Sequence, residues 1–237
     1  MITSGHPYSS ATKTEIVDLA NGAACSDLAV FPIEIYGAVG ANLDDIPVVC
    51  GGSFSITKNE KCYRYTKGVW EDFASMKEVR LYAAGVMYNK TLHVFGGWDG
   101  SSLLKTSETV NVDGEISDGP DLPTAVYSHA MTAINDTVSL LSGGWIYPNS
   151  YSDQTWYYNH DTEAFTSGPD LLEGRVHHGS ATNVDKVTKA KTVVVTGGFN
   201  GSYMGYMDST ELLINGQWQT GTSTYYSMQK AKCFDLL

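Results

Sequence analysis

Three histidines and one column of tyrosines are the side chains of this chain best suited to chemistry. His129, His177 and His178 carry imidazoles that could ligate a transition metal. Adjacent strand residues point to opposite faces, however, so His177 and His178 cannot both aim at one ion, and no carboxylate column accompanies them. No metal and no cofactor are expected. The second group emerges when five short runs are superposed without gaps: Glu34–Ala38, Arg80–Ala84, Ala125–His129, Arg175–Gly179 and Thr224–Met228. Their middle residues are Tyr36, Tyr82, Tyr127, His177 and Tyr226. If those runs line an axis, the column is a polar aromatic funnel for a small ligand or sugar. If they face a neighbouring sheet, their rings pack there and backbone groups satisfy the hydroxyls. The sequence has no nucleophile elbow, phosphate-binding Gly loop, Cys/His metal spacing or paired-carboxylate pattern. Binding is therefore the expected activity. An enzyme acting on sugars, or through a metal at the axis, is the alternative and rests on the Tyr/His ring alone.

The elements that position these residues follow from a repeat. A Gly pair ends a short apolar run at Gly51-Gly52, Gly96-Gly97, Gly143-Gly144 and Gly197-Gly198, and Met1–Gly5 is a degenerate fifth copy. The second glycines of the four pairs are thus 45, 47 and 54 residues apart. A repeat of that length is one supersecondary unit that cannot bury both its faces alone. Between the pairs run β-branched and aromatic stretches broken by Asp, Asn, Gly and Pro, four per interval, with no apolar stripe at helical period. In the third interval they read Thr106–Val112, Glu115–Ser117, Val126–Ala133 and Thr137–Gly143. Asp113-Gly114 and Asn135-Asp136 fall where tight hairpins need left-handed or Asx-type residues. Four short antiparallel strands per unit predict a propeller blade. Repeats begin near residues 1, 47, 92, 138 and 192, and residues 1–237 read as one domain. After each pair Glu15, Cys62, Glu108, Thr155 and Glu211 form a column, followed by Trp70, Ile116, Phe165 and Trp218, apolar residues expected to pack on the next blade.

The apolar run ending in Gly-Gly, the Glu or Tyr that follows, and Trp70 and Trp218 some 20 residues on resemble the kelch repeat. Cys50-Gly51-Gly52 with Cys62-Tyr63 is similar to kelch-only proteins of invertebrates that are exported. Ile116 and Phe165 stand where that repeat has Trp, and Ser4 where it has Gly. The resemblance covers nearly the whole chain. It implies an all-β, five-bladed propeller with four-stranded antiparallel blades, and a structural role for Arg80 and Arg175. Five first strands can be counted, and the last, near Tyr226 to Phe234, lacks the three that should follow. Those three open the chain, so pairing of the C-terminal strand with the N-terminal strand is expected to close the ring and remove two sheet edges.

Composition bounds the partners. The chain of 237 residues is 42% hydrophobic and 17% charged, with a net charge of −11 and no Lys/Arg run. It can bury a core but would be repelled by a phosphate backbone, so nucleic acid is excluded as a partner. It has no long apolar segment and no basic, apolar leader, so membrane insertion is not expected and a secretory leader would lie outside this sequence. Cys50 and Cys62 fall on adjacent antiparallel strands at a separation that suits a disulfide. The alternative is a pair of reduced thiols, the cytoplasmic default. Cys25 and Cys233 are expected to be unpaired. Asn89, Asn135 and Asn200 begin glycosylation sequons in turns or loops. The cysteine pair and the sequons predict an extracellular location, with a cytoplasmic one as the alternative.

The loops after the Gly pairs are aromatic where turns are usually polar. They carry Tyr8, Phe54, Trp98, Trp145, Tyr147, Tyr151, Phe199, Tyr203 and Tyr206. Repeat symmetry predicts one loop face, and such residues concentrate at interface centres. A protein or glycan partner is expected there.

Overall fold

The computed structural model describes residues 2–3, 14–17, 24–25, 28–54, 57–148, 150–201 and 205–223. Every described element is a strand, and four sheets have four antiparallel strands each in chain order. Sheet 1 comprises Val39–Leu43, Ile46–Cys50, Lys61–Thr66 and Val69–Ser75. Sheet 2 comprises Ala84–Tyr88, Thr91–Phe95, Ser107–Asn111 and Ile116–Asp118. Sheet 3 comprises Ala130–Ala133, Val138–Ser142, Thr155–Asn159 and Ala164–Ser167. Sheet 4 comprises Gly179–Val184, Lys191–Thr196, Thr210–Ile214 and Gln217–Thr220. A three-stranded sheet of Ile2–Thr3, Thr14–Val17 and Ala24–Cys25 precedes them. The chain divides into two compact units, Met1–Gly119 and Pro120–Leu237.

Burial explains the sequence pattern. Second strands such as Thr91–Phe95 and Val138–Ser142 are buried over four consecutive residues, so apolar residues are not confined to alternate positions, and His93, Ser139 and Ser142 are buried among them. Fourth strands are mostly exposed and polar. In the first unit, Val39, Val48, Val94 and Val110 join sheets 1 and 2 in one core, and a Cβ on Gly85 would meet Val39 Cγ1 at 2.4 Å. In the second, Leu140, Val193, Val195 and Trp218 do the same for sheets 3 and 4. There the first strands are also tied by a Thr132–Ser180 hydroxyl contact and by Thr182 Oγ1 donating to Ala133 O at 2.6 Å. The apolar column packs backwards rather than forwards: Trp218 Nε1 of sheet 4 donates to Pro169 O at 2.9 Å, and Trp70 Nε1 of sheet 1 donates to Thr14 Oγ1 of the N-terminal sheet at 2.9 Å.

All eight glycines of the four pairs have positive φ. The first of a pair also needs room: a Cβ on Gly51 or Gly143 would sit 2.6 Å from the carbonyl oxygen of Arg80 or Arg175. Cys50 and Cys62 are directly opposite on neighbouring strands of sheet 1 and form a disulfide. Cys25 lies in the N-terminal sheet, and Cys233 falls outside the described residues.

Candidate functional site: an aromatic loop end

The tyrosine column does not form as the gap-free superposition placed it. The middle residues of the runs precede the first strands, which begin only at Val39, Ala84, Ala130 and Gly179. Each run contains a bridge to the loop after its own Gly pair: Tyr36 to Ser53, Leu81 to Trp98, Tyr127 to Trp145 and Val176 to Phe199. The next residue is left-handed in every case, at Gly37, Tyr82, Ser128 and His177. Tyr36 and Tyr127 therefore occupy the bridge position, whereas Tyr82 and His177 occupy the position after it, so they are two columns. The left-handed column carries a backbone link between sheets: Tyr82 N–H donates to Gly37 O at 2.8 Å, and His177 N–H donates to Ser128 O at 3.0 Å. Tyr226 lies outside the described residues.

The same register corrects the Glu column. The residues opposite the last position of the second strand are Cys62, Ser107, Thr155 and Thr210. One position further along come Tyr63, Glu108, Trp156 and Glu211, and the residues before the bridges are Ile35, Arg80, Val126 and Arg175. Sheets 2 and 4 thus hold a buried ion pair where sheets 1 and 3 hold an aliphatic and an aromatic side chain. Ile35 and Tyr63 share one buried cluster, and Val126 and Trp156 line one small cleft. Arg80 Nε donates to Glu108 Oε1 at 3.0 Å, and Arg175 Nη2 to Glu211 Oε1 at 2.5 Å. Arg80 and Arg175 have the structural role expected of them. Sequence reasoning missed their partners, and the signal was available: among the four four-stranded sheets, the two with Arg before the bridge are the two with Glu on the third strand.

Arg175 also fixes the aromatic loop of the preceding sheet. Its N–H donates to Ser152 O at 3.1 Å, and its carbonyl accepts from Gly144 N–H at 2.8 Å. Between those anchors runs the hairpin of Trp145–Ile146 and Ser150–Tyr151, in which Trp145 is paired opposite Tyr151. Tyr127 packs on Trp145 with centroids 5.5 Å apart, Tyr151 on Phe199 at 5.7 Å, and Phe199 on Tyr206 at 5.6 Å. Burial raises the Tyr127 phenol above its ordinary pKa, and Tyr151 nearby raises it further. Gly201 lies under the Tyr151 ring, which a Cβ there would strike at 2.3 Å. Tyr206 is 52% exposed and Tyr147, at the hairpin tip, 83% exposed. The second unit therefore carries an aromatic ridge in which the Trp145–Tyr151 strand pairing joins two sets of ring contacts.

In the first unit Trp98, 37% exposed, bridges both Leu81 and Leu103 in a loop closed by Asp99 Oδ1, which accepts from the N–H groups of Ser101 and Ser102 at 2.6 and 2.7 Å. Phe54 lies in the hairpin of Ser53–Phe54 and Thr57–Lys58. Tyr8 and Tyr203 fall outside the described residues. Asn89 sits in an exposed turn and Asn135 in an exposed bend, while Asn200 is half-buried beside Phe199.

His129 and His178 are buried rather than presented, and His177 is half-buried. His129 and His178 are lowered by burial to a pKa of about 3, with the Arg175 charge next in importance for His178, so both are neutral at pH 7. His178 Nε2 lies 3.1 Å from Ser142 Oγ, and both ring nitrogens of His129 lack a hydrogen-bond partner. Among the described residues no three His, Cys, Asp or Glu side chains are grouped to hold a metal ion.

No protein-family model matches the chain, and no curated protein matches it. The fold is similar to that of the solved structure of YjhT, with a TM-score of 0.76 at 14% identity over 89% of this chain and 76% of that one. At that identity the likeness concerns the fold alone, and it fits a β-propeller. Among the described residues no helix is long and apolar enough to cross a membrane, and the disulfide is compatible with an oxidising location.

Proposed function

We propose that this chain is a non-catalytic binding module of kelch type that recognises a protein or glycan partner through its aromatic loops, outside the cell. The observation that carries the reading is the ridge from Tyr127 to Tyr206, with Tyr147 and Tyr206 exposed at its tip and edge. Rigid aromatics bury much area on binding at small entropic cost, so a ridge already assembled is suited to recognition. The five-bladed arrangement, closed by the C-terminal strand, belongs to the same proposal. Its support is the N-terminal sheet, which among the described residues has three strands where each following sheet has four. Extracellular placement is supported by the disulfide and by the exposed turns at Asn89 and Asn135, which leave both sequons open to glycosylation.

The test is capture on a glycan array and from a panel of extracellular proteins. Trp145→Ala and Trp98→Ala should abolish capture, and Tyr82→Phe should not. The reverse pattern would favour chemistry at the left-handed column, the alternative of a sugar- or metal-dependent enzyme. Tyr127 is unsuitable as a control because it packs on Trp145.

A further inference from the structure

In each four-stranded sheet the first glycine of the pair donates its N–H to a carbonyl at or just before the start of the third strand. Gly51 bonds Lys61 O, Gly96 Thr106 O, Gly143 Gln154 O and Gly197 Ser209 O, at 3.0–3.1 Å. In three of these sheets one side-chain nitrogen then donates to that carbonyl and to the glycine's own carbonyl together. Sheet 1 uses Asn59 Nδ2, at 3.0 Å from Gly51 O and 3.4 Å from Lys61 O. Sheet 2 uses Arg80 Nη1, at 2.9 Å from Gly96 O and 2.8 Å from Thr106 O. Sheet 4 uses Arg175 Nη1, at 2.9 Å from Gly197 O and 3.2 Å from Ser209 O.

Sheet 3 has the two carbonyls without the donor. Val126 stands where the arginines stand, one residue before the bridge. Ser152, whose N–H bonds Gly144 O as Asn59 N–H bonds Gly52 O, uses its Oγ to accept from Gln154 N–H at 3.1 Å. Among the described residues no side chain donates to Gly143 O or Gln154 O. A cleft open to solvent lies at this point, about 240 Å³ counting the solvent at its mouth. Val126, Gly143, Ser152 and Gln154 line it, with Trp156 in the place of the glutamates and Ile146 from the aromatic hairpin.

The chemistry of the cleft suits one kind of side chain. Carbonyls beside apolar walls are costly to leave without a donor. A guanidinium nitrogen satisfies both at once, as Arg80 and Arg175 do in their own sheets, and its plane can lie on the Trp156 indole while the stem covers Val126 and Ile146. No glutamate stands here to neutralise the charge, so the guanidinium must stay partly in water, which an open cleft allows. The net charge of −11 favours the approach of a cationic group.

We infer that the sheet 3 cleft receives an arginine side chain of the partner protein, its guanidinium held between Gly143 O and Gln154 O. The inference rests on the binding reading above and narrows it to a protein with an exposed arginine, which enters beside the Trp145–Tyr151 hairpin.

The probe is Nα-acetyl-argininamide, titrated into the full chain while the Trp156 indole N–H is followed by two-dimensional NMR and assigned with Trp156→Phe. A saturable shift is expected, about tenfold weaker for the acetylated lysine amide, whose ammonium cannot fork between two carbonyls, and absent for the uncharged citrulline analogue. Val126→Arg supplies the chain's own guanidinium and Val126→Met fills the cleft with an unbranched stem, so both should abolish the shift; an unchanged urea midpoint verifies that each has folded. No saturable shift with the arginine probe means that water alone fills the cleft and overturns the inference. An equal shift with the citrulline analogue, or a shift that survives in the folded Val126 variants, overturns it as well. If the probe fails while a captured ligand is still lost on Trp145→Ala, the arginine receptor falls and the loop-end reading stands. If Trp145→Ala affects no captured ligand, the loop-end reading falls, and the partner named here with it.

Discussion

The Arg175–Glu211 pair offers the sharpest test of how the aromatic ridge is held, because its backbone anchors one loop and its side chain the next. Arg175 Nη1 donates to Gly197 O at 2.9 Å and Ser209 O at 3.2 Å, and Nη2 donates to Ser209 Oγ at 3.1 Å and Glu211 Oε1 at 2.5 Å. Glu211 in turn accepts from Leu172 N–H at 2.7 Å and Glu173 N–H at 3.3 Å. Arg175→Met leaves a carboxylate only 2% exposed without its counter-charge. Breaking such a pair from one side costs about 3–5 kcal/mol, and the carbonyls of Gly197 and Ser209 lose their donor as well. The expected total is about 5 kcal/mol. Glu211→Gln keeps an acceptor oxygen and should cost about half as much. In the double variant neither buried charge confronts an absent partner's opposite, so the two effects should fall short of their sum by about 2 kcal/mol. Urea unfolding followed by tryptophan fluorescence measures all four corners of the cycle. Additive effects, or a cost below about 1 kcal/mol for Arg175→Met, would refute the claim that this pair organises the loop end.

Other expectations follow from the same geometry. His129 and His178 have folded pKa values of about 3, below the unfolded value, so protons bind the unfolded chain preferentially. Stability is therefore fully present above about pH 6.5 and lost as pH falls toward 3, by about 2 kcal/mol per histidine at pH 5. A urea midpoint independent of pH between 7.5 and 5 would contradict their burial as neutral groups. Cys50 and Cys62 close a loop of sequence separation 12, so replacing both by Ser should cost about 3 kcal/mol on the chain-entropy account. Non-reducing peptide mapping that finds two free thiols would dispose of that bridge. Tyr147→Ala should leave the unfolding midpoint unchanged, since the ring is 83% exposed, while reducing capture of any loop-end ligand.

The strand content was legible because the Gly pairs mark a backbone requirement that no other residue meets. The backbone turns left-handed there, and the next segment's carbonyl presses where a Cβ would be, so the second strands of all four sheets could be placed from sequence. The segments before the first strands were not legible. Gly37 and Ser128 take the left-handed position in two sheets where Tyr82 and His177 take it in the others, and matching aromatic to aromatic slipped the frame by one. A one-residue slip exchanges the faces of every side chain, which is why the predicted ring dissolved into two columns. The third strands slipped likewise: the column set Cys62 and Thr155 beside Glu108 and Glu211, which lie one position further along their strands. The aromatic loops were visible as residue types, but their assembly into a ridge depends on the Trp145–Tyr151 pairing and on Phe199 lying between two tyrosines, neither of which is encoded by a local pattern.

Hydrogen exchange on the chain bound to the glycan or protein that the capture experiment selects tests the loop-end claim most directly. The account predicts slowed exchange across Trp145–Tyr151 and Phe199–Asp208, with Tyr36–Val39 and Tyr82–Ala84 unchanged. Protection confined to those latter segments would place the binding at the left-handed column and contradict it.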